Sequence, residues 1–214
     1  MVVVLVHGKP AVLPPAALGA AALVEAFNPG MQGGRAIAEL VLGLVEPRGR
    51  LPISVPRHAG QLPVFYNQVR GQHGERYADL TQEPQFAFGE GLGYTTVTYG
   101  DLRLEHDVVP SDGVVSARVT ITNTGDRSAF ETVQAYVSDV VTSVTWAARE
   151  LKAWQQVQVA PGERREVTIE VPAGACSLVG ADGRRIVEPG TFVLEVGPSS
   201  RASDLLRVGF TVED

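Results

Sequence analysis

The chain has 214 residues, a formal net charge of -6, 44% hydrophobic and 20% charged side chains, 23 Gly and 14 Pro. This composition fits a folded, turn-rich globular chain of one large or two small domains, and its acidic balance argues against nucleic-acid binding, which needs a basic face. One cysteine excludes an internal disulfide and a cysteine-based zinc cluster, and no apolar run reaches the roughly 18 residues of a membrane span.

The charge divides unevenly. Residues 1–96 carry seven basic and seven acidic side chains, and residues 97–214 carry eleven and seventeen, so the whole excess lies in the second part. Val2 to Val6 is an unbroken β-branched and leucine run, as expected of a strand inside a parallel sheet, and His7-Gly8-Lys9-Pro10 ends it. Ala20 to Phe27 is a second apolar run, broken by Asn28-Pro29-Gly30. From Arg35 to Leu42, apolar residues at Ile37, Leu40 and Val41 have helical spacing, with Gly43 as the stop. A further short strand is expected at Leu51 to Val55. A parallel sheet covered on both faces needs more strands and helices than residues 1–56 supply. The sequence therefore predicts the end of a larger α/β domain, with Met1 standing inside a longer protein. It also predicts self-association through the Val2–Val6 edge, which lacks a sheet to close it.

Residues 57–96 hold Pro63, Pro84, several glycines and many polar groups with little periodicity, and read as a connection. Within it His73, Glu75, Arg76, Tyr77 and Asp79 gather an imidazole, two carboxylates, a guanidinium and a phenol. Such groups suit a sugar, which wants bidentate acceptors, planar donors and an aromatic face. The plainer reading, which the residues favour, is a loop held by its own Arg–carboxylate pairs. The glycines of Phe88-Gly89-Glu90-Gly91-Leu92-Gly93-Tyr94 precede strand chemistry rather than a helix. They therefore serve positive φ or close packing, not a nucleotide.

From residue 97 strand patterns follow at short intervals: Val97–Leu104, Val114–Thr122, Thr132–Val137, Leu151–Val159, Arg165–Val171, Thr191–Val196 and Leu205–Val212. Asn123-Thr124-Gly125-Asp126 and Pro161-Gly162-Glu163 mark turns. Seven short strands with alternating patterning predict an immunoglobulin-like sandwich, and the lack of a cysteine pair favours the fibronectin type III-like variant. Cys176 is expected as a lone buried thiol. Trp146 and Trp154 are both able to stack on a sugar, but the place of Trp154 in a strand pattern predicts a core position. The fold class is thus an α/β fragment followed by an all-β sandwich, divided as 1–56, a linker at 57–96, and 97–214.

Several motifs carry a family resemblance. They are Phe27-Asn28-Pro29-Gly30-Met31-Gln32-Gly33-Gly34 with Ala36-Ile37-Ala38, Pro47-Arg48-Gly49-Arg50-Leu51-Pro52, Leu62-Pro63-Val64-Phe65-Tyr66-Asn67 and, most specific, Phe88-Gly89-Glu90-Gly91-Leu92-Gly93-Tyr94-Thr95. Asn123-Thr124-Gly125, Val133-Gln134-Ala135-Tyr136-Val137, Glu150-Leu151-Lys152-Ala153-Trp154 and Val187-Glu188-Pro189-Gly190 complete the series. In this order the chain resembles the C-terminal portion of glycoside hydrolase family 3, the β-glucosidase and β-xylosidase group. It departs from the family at Gly93, where Ser is usual, and at Met31 and Gln32, where Gln and Glu are common.

The resemblance implies a parent enzyme that hydrolyses terminal β-glycosides with retention, using two carboxylates about 5–5.5 Å apart. It places the nucleophilic Asp in an N-terminal barrel and the acid/base Glu upstream of this chain, so no residue here is expected to be catalytic. No cofactor is expected. The four histidines, His7, His58, His73 and His106, lack metal-ligand spacing. The implied partner is the missing barrel and sandwich portion, with neither nucleic acid nor membrane. Two other functions fit the residues: a carbohydrate-binding or cell-surface module using Trp146, Tyr77 and His73, and one part of a split hydrolase.

Overall fold

The computed structural model describes residues 1–69 and 79–214. Strand β1 (Val2–Leu5) pairs in parallel with β2 (Ala22–Glu25), Val2 opposite Ala22 and Leu5 opposite Glu25. Their crossover holds a single helical turn, α1 (Pro15–Leu18), whose Pro at the first helical position is preset in φ and needs no N–H. Helix α2 (Gly33–Val41) begins where the backbone passes tightly over Pro29: a Cβ on Gly33 would lie 2.6 Å from the proline Cβ. It ends in a Schellman motif. Gly43 takes φ +71, its N–H bonds Leu40 O at 2.9 Å, and the Leu44 N–H reaches Glu39 O at 2.8 Å.

The predicted strand at Leu51–Val55 does not form. Only Val55 bridges, to Phe86, while Leu51 exchanges backbone hydrogen bonds with Gly89 and Glu90. Pro52 and Pro56 remove N–H groups that a ladder needs.

The second part folds as two sheets. Strands β3 (Val97–Leu104), β5 (Val114–Asn123) and β8 (Arg164–Pro172) form one, in the order β3-β5-β8. Strands β4 (Val108–Pro110), β6 (Ala129–Asp139), β7 (Glu150–Val159), β11 (Gly190–Gly197) and β12 (Leu206–Glu213) form the other, in the order β4-β12-β11-β6-β7. A two-residue pair, β9 (Leu178–Val179) with β10 (Arg185–Ile186), lies between β8 and β11 in the chain. The entering chain switches sheets: β3 runs antiparallel to β5, and β4 then runs parallel to β12.

Period-two alternation aims Val115, Ala117, Val119 and Ile121 of β5 at Val133, Ala135 and Val137 of β6, with Val167, Ile169 and Val171 of β8 beside them. Phe192 and Phe210 stack at 5.3 Å between centroids, and each fully buried side chain of this size contributes roughly 1.5–3 kcal/mol. Cys176 is buried, and burial pushes its thiol up to about 11, which keeps it protonated and inert.

Trp154 corrects the sequence expectation: it is 63% exposed rather than part of the core. In the β6–β7 ladder Ala153 faces Ala135, whose side chain points into the core, so Trp154, opposite Gln134, falls on the outer face. Among the described residues, no helix is long and apolar enough to cross a membrane.

Candidate functional site

The outer face of β6 is not left to solvent. Alternation turns Gln134 and Tyr136 away from the core, yet both are buried, because the irregular chain between β2 and β3 lies over them. The Tyr136 hydroxyl donates to Gln134 Oε1 at 2.6 Å, and Gln134 Nε2 donates to Gly89 O at 2.9 Å and Pro198 O at 2.5 Å. Gly89 has φ +79, and a Cβ there would overlap the Gln134 amide, so this glycine is required twice over. Tyr66 stacks on Phe88 at 4.1 Å and meets Tyr136 edge-on at 5.8 Å, while its hydroxyl accepts the Leu151 N–H at 3.2 Å.

Burial raises the phenol pKa of Tyr66 and Tyr136. Burial, then the Glu131 carboxylate, raises that of Tyr99 well above the usual tyrosine range. All three stay protonated near neutral pH, which suits hydrogen-bond donors and not general bases.

The glycine-rich box ties three parts together. Glu90 accepts the Ala87 N–H at 2.7 Å and pairs with Arg201 at 2.8 Å. The Tyr94 hydroxyl bonds Leu40 O in α2, and its N–H bonds Glu46 at 3.1 Å. Thr95 Oγ1 donates to Asn123 Oδ1 at 2.8 Å, and the Asn123 amide donates to Arg127 O and Val159 O, so this fully buried amide is satisfied. Nearby, Arg50 and Glu131 form an ion pair at 3.3 Å with side chains only 10% and 11% exposed, and Glu131 also accepts from Tyr99 at 2.8 Å. The Arg48 guanidinium lies 3.4 Å over the Phe130 ring.

These contacts fix both flanks of the segment that carries the sugar-site candidates. On one side Val69 bridges Ala147 and the Ala148 N–H bonds Gln68 O at 2.7 Å. This places the chain beside Trp146, whose Nε1 donates to Glu150 at 3.0 Å, and Lys152 pairs with the same carboxylate oxygen at 2.9 Å. On the other side the buried Gln61 amide donates to Thr81 O at 3.1 Å and Glu83 O at 3.0 Å. Of the candidates, His73, Glu75, Arg76 and Tyr77 lie outside the described residues, and Asp79 is exposed.

A second cluster went unnoticed in the sequence. At the C-terminal ends of β1 and β2, where open α/β sheets present their ligand crevices, His7 Nε2 lies 3.0 Å from Glu25 Oε2. Glu25 Oε1 takes the Phe27 N–H at 2.9 Å, and Phe27 sits at φ +48. The parallel pairing is the signal that brings His7 to Glu25, since 18 positions separate them in the chain. Among the described residues, no group of three or more His, Cys, Asp or Glu side chains is arranged to hold a metal ion.

Residues 1–94 match the glycosyl hydrolase family 3 C-terminal domain, and residues 131–200 match the fibronectin type III-like domain. The chain belongs to glycoside hydrolase family 3. Its family 3 relatives include a beta-xylosidase of Formosa agariphila, 36% identical over all of this chain and 30% of that protein. They also include a periplasmic beta-glucosidase of Salmonella typhimurium, 34% identical over 94% of this chain and 28% of that protein. Among solved structures, a beta-glucosidase involved in saponin metabolism from intestinal bacteria superimposes with a TM-score of 0.92 at 51% identity. It is matched over all of this chain and 31% of its own. A Listeria innocua beta-glucosidase bound to glucose gives 0.88 at 31% identity, again over all of this chain and 31% of its own. The chain thus spans less than a third of these family 3 proteins and corresponds to their C-terminal part.

Proposed function

We propose that this chain is the non-catalytic C-terminal portion of a family 3 β-glycosidase, whose parent reaction is the retaining hydrolysis of terminal β-D-glycosides such as β-glucosides or β-xylosides. The observation that carries this reading is the match of the whole chain to less than a third of several named glycosidases. The resemblance puts both carboxylates of the reaction upstream of residue 1, in a barrel and sandwich portion that would be the partner. The role of this chain is then to complete the α/β layer with residues 1–56 and to clamp it, through residues 57–96, against the sandwich of 97–214. The ion pair of Arg50 with Glu131 and the Gln134 hub support such a clamp, because both join distant parts of the chain. The segment from His73 to Asp79 supplies sugar contacts at most.

Purified 214-residue chain is expected to release no chromophore from an aryl β-glucoside or β-xyloside. Turnover by the chain alone would overturn the non-catalytic reading. Mixing the chain with the separately produced upstream portion tests the partner, with restored hydrolysis as the expected result.

A further inference from the structure

The chain ahead of the sandwich forms an apolar groove of about 510 Å³. One wall is the crossover between β1 and β2, at Pro10 and Val12, and the other is the chain from Ile53 to Phe65. Leu62 is 61% exposed and Phe65 57%, and Val12 and Ile53 are exposed beside them. Ser54 is the one polar side chain of the lining, and it is buried. The second wall is held from behind by polar contacts. The Val55 N–H donates to Phe86 O at 2.8 Å, the Gln85 N–H to Val55 O at 2.8 Å, and the Arg57 N–H to Oε1 of the buried Gln61 at 2.8 Å. Val64 is buried and Tyr66 stacks on Phe88, so the backbone around Phe65 is anchored. Neither Leu62 nor Phe65 joins the buried core of the sandwich.

We infer that this groove receives an apolar segment of the upstream portion of the parent glycosidase, an inference that rests on reading the chain as its C-terminal portion. The chain accounts for 30% of the Formosa agariphila beta-xylosidase and 31% of the beta-glucosidase from intestinal bacteria, so most of such a protein lies outside it. Both walls belong to residues 1–69, where β1 and β2 form a sheet of only two strands, the layer that an upstream portion would complete. A contiguous apolar surface of this kind marks a protein contact, and a wall fixed before binding loses little freedom when its partner arrives. The lining does not suit a sugar. No charged side chain is in it and Ser54 alone offers a hydroxyl, whereas a sugar needs several donors and acceptors. A second copy of the chain would bring its own net charge of -6, which works against self-association.

The full 214-residue chain, with a benzophenone amino acid in place of Phe65, is mixed with the separately produced upstream portion and irradiated. The cross-linked product is mapped by mass spectrometry, and a cross-link to the upstream portion is expected. A cross-link to a second copy of the chain overturns the proposal in favour of self-association. A complex without any cross-link also overturns it, and leaves the groove to a small apolar molecule. Calorimetry gives a second measurement. Phe65→Asp and Leu62→Asp should each bind the upstream portion about tenfold more weakly than the unaltered chain, with the thermal midpoint of the isolated chain unchanged. Val12→Asp, on the opposite wall, replaces either variant that lowers that midpoint. Equal affinity in these variants overturns the proposal. The two readings fail separately. A complex that forms and regains hydrolysis whatever stands at these positions sinks the groove alone. Absence of any complex with the unaltered chain overturns the partner reading, and the role of the groove with it.

Discussion

The sandwich and the α/β piece are built from similar β-branched runs, but only the sandwich closes a core. Its buried cluster draws entirely on residues 109–212, from both sheets. In the α/β piece, Gly33 is the one buried residue of β1, α1, β2 and α2, while Met31 is 100% exposed, Leu42 72% and Leu44 71%. An apolar run specifies an element. It yields a stable layer only where a second layer arrives to cover it, and here the covering layer for β1 and α2 is not within the chain described. The α/β piece is attached laterally: Arg48 and Arg50 reach Phe130 and Glu131 of β6, and the connection bridges both sides, Tyr94 bonding Leu40 and Gly89 bonding Gln134.

The sharpest way to break this contrast is at the centre of the sandwich. Phe192→Ala removes a ring stacked on Phe210 and should cost about 3–5 kcal/mol of unfolding free energy in urea titration, taking the whole chain with it. A loss below 1 kcal/mol would mean that the sandwich does not carry the fold.

The next effect lies at the attachment. Arg50→Ala leaves Glu131 buried with Tyr99 as its one side-chain donor among the described residues and should cost about 3 kcal/mol. Hydrogen exchange should quicken in residues 48–55 before it quickens in β5 or β6. Uniform quickening would show that the two regions unfold as one.

Alkaline pH gives a graded version of the same test. Cys176, Tyr66, Tyr99 and Tyr136 all hold their protons more tightly folded than unfolded. The unfolded chain therefore releases protons first as pH rises, and stability falls with pH, beginning near about pH 9 for the thiol and steepening above about pH 10 for the phenols. Thermal midpoints measured from neutral pH upward should show this decline, and Tyr99→Phe should flatten it. A pH-independent midpoint through this window would contradict the burial of these groups.

The smallest effect on stability concerns the open edge. We propose that β1 pairs with another copy of the chain when nothing covers it. Val2 is 45% exposed, so Val2→Lys should change stability by less than about 0.5 kcal/mol while lowering the mass seen by light scattering at high concentration. A monomer at every concentration in the unaltered chain would count against this pairing.

Much of the sandwich was legible because half-buried antiparallel strands write their burial as alternation. Val97–Leu104 appears with the same bounds in pattern and structure, and the alternating Val115, Ala117, Val119 and Ile121 fall inward. The short pieces were not legible: β4 spans three residues and β9 and β10 two each, too few to show a period. Leu51–Val55 misled because apolar content was weighed above Pro52 and Pro56. Trp154 misled because a strand pattern gives alternation without saying which phase faces inward at an edge. The buried amides of Gln61, Asn123 and Gln134 carry no hydrophobic signal at all, yet they organise the connection.

The sequence by itself determined the two kinds of architecture, the turns at Gly43 and Gly162, and the family, since local propensity, periodicity and short motifs are properties of neighbouring residues. Tertiary structure alone decided which polar groups meet. His7 reaches Glu25, Arg50 reaches Glu131 and Gln134 reaches Gly89 only after strands pair and layers stack. It also decided that β7 and β8 come to lie edge against edge, because the distance between two sheet edges is set by the packing of the core between them and not by any local pattern.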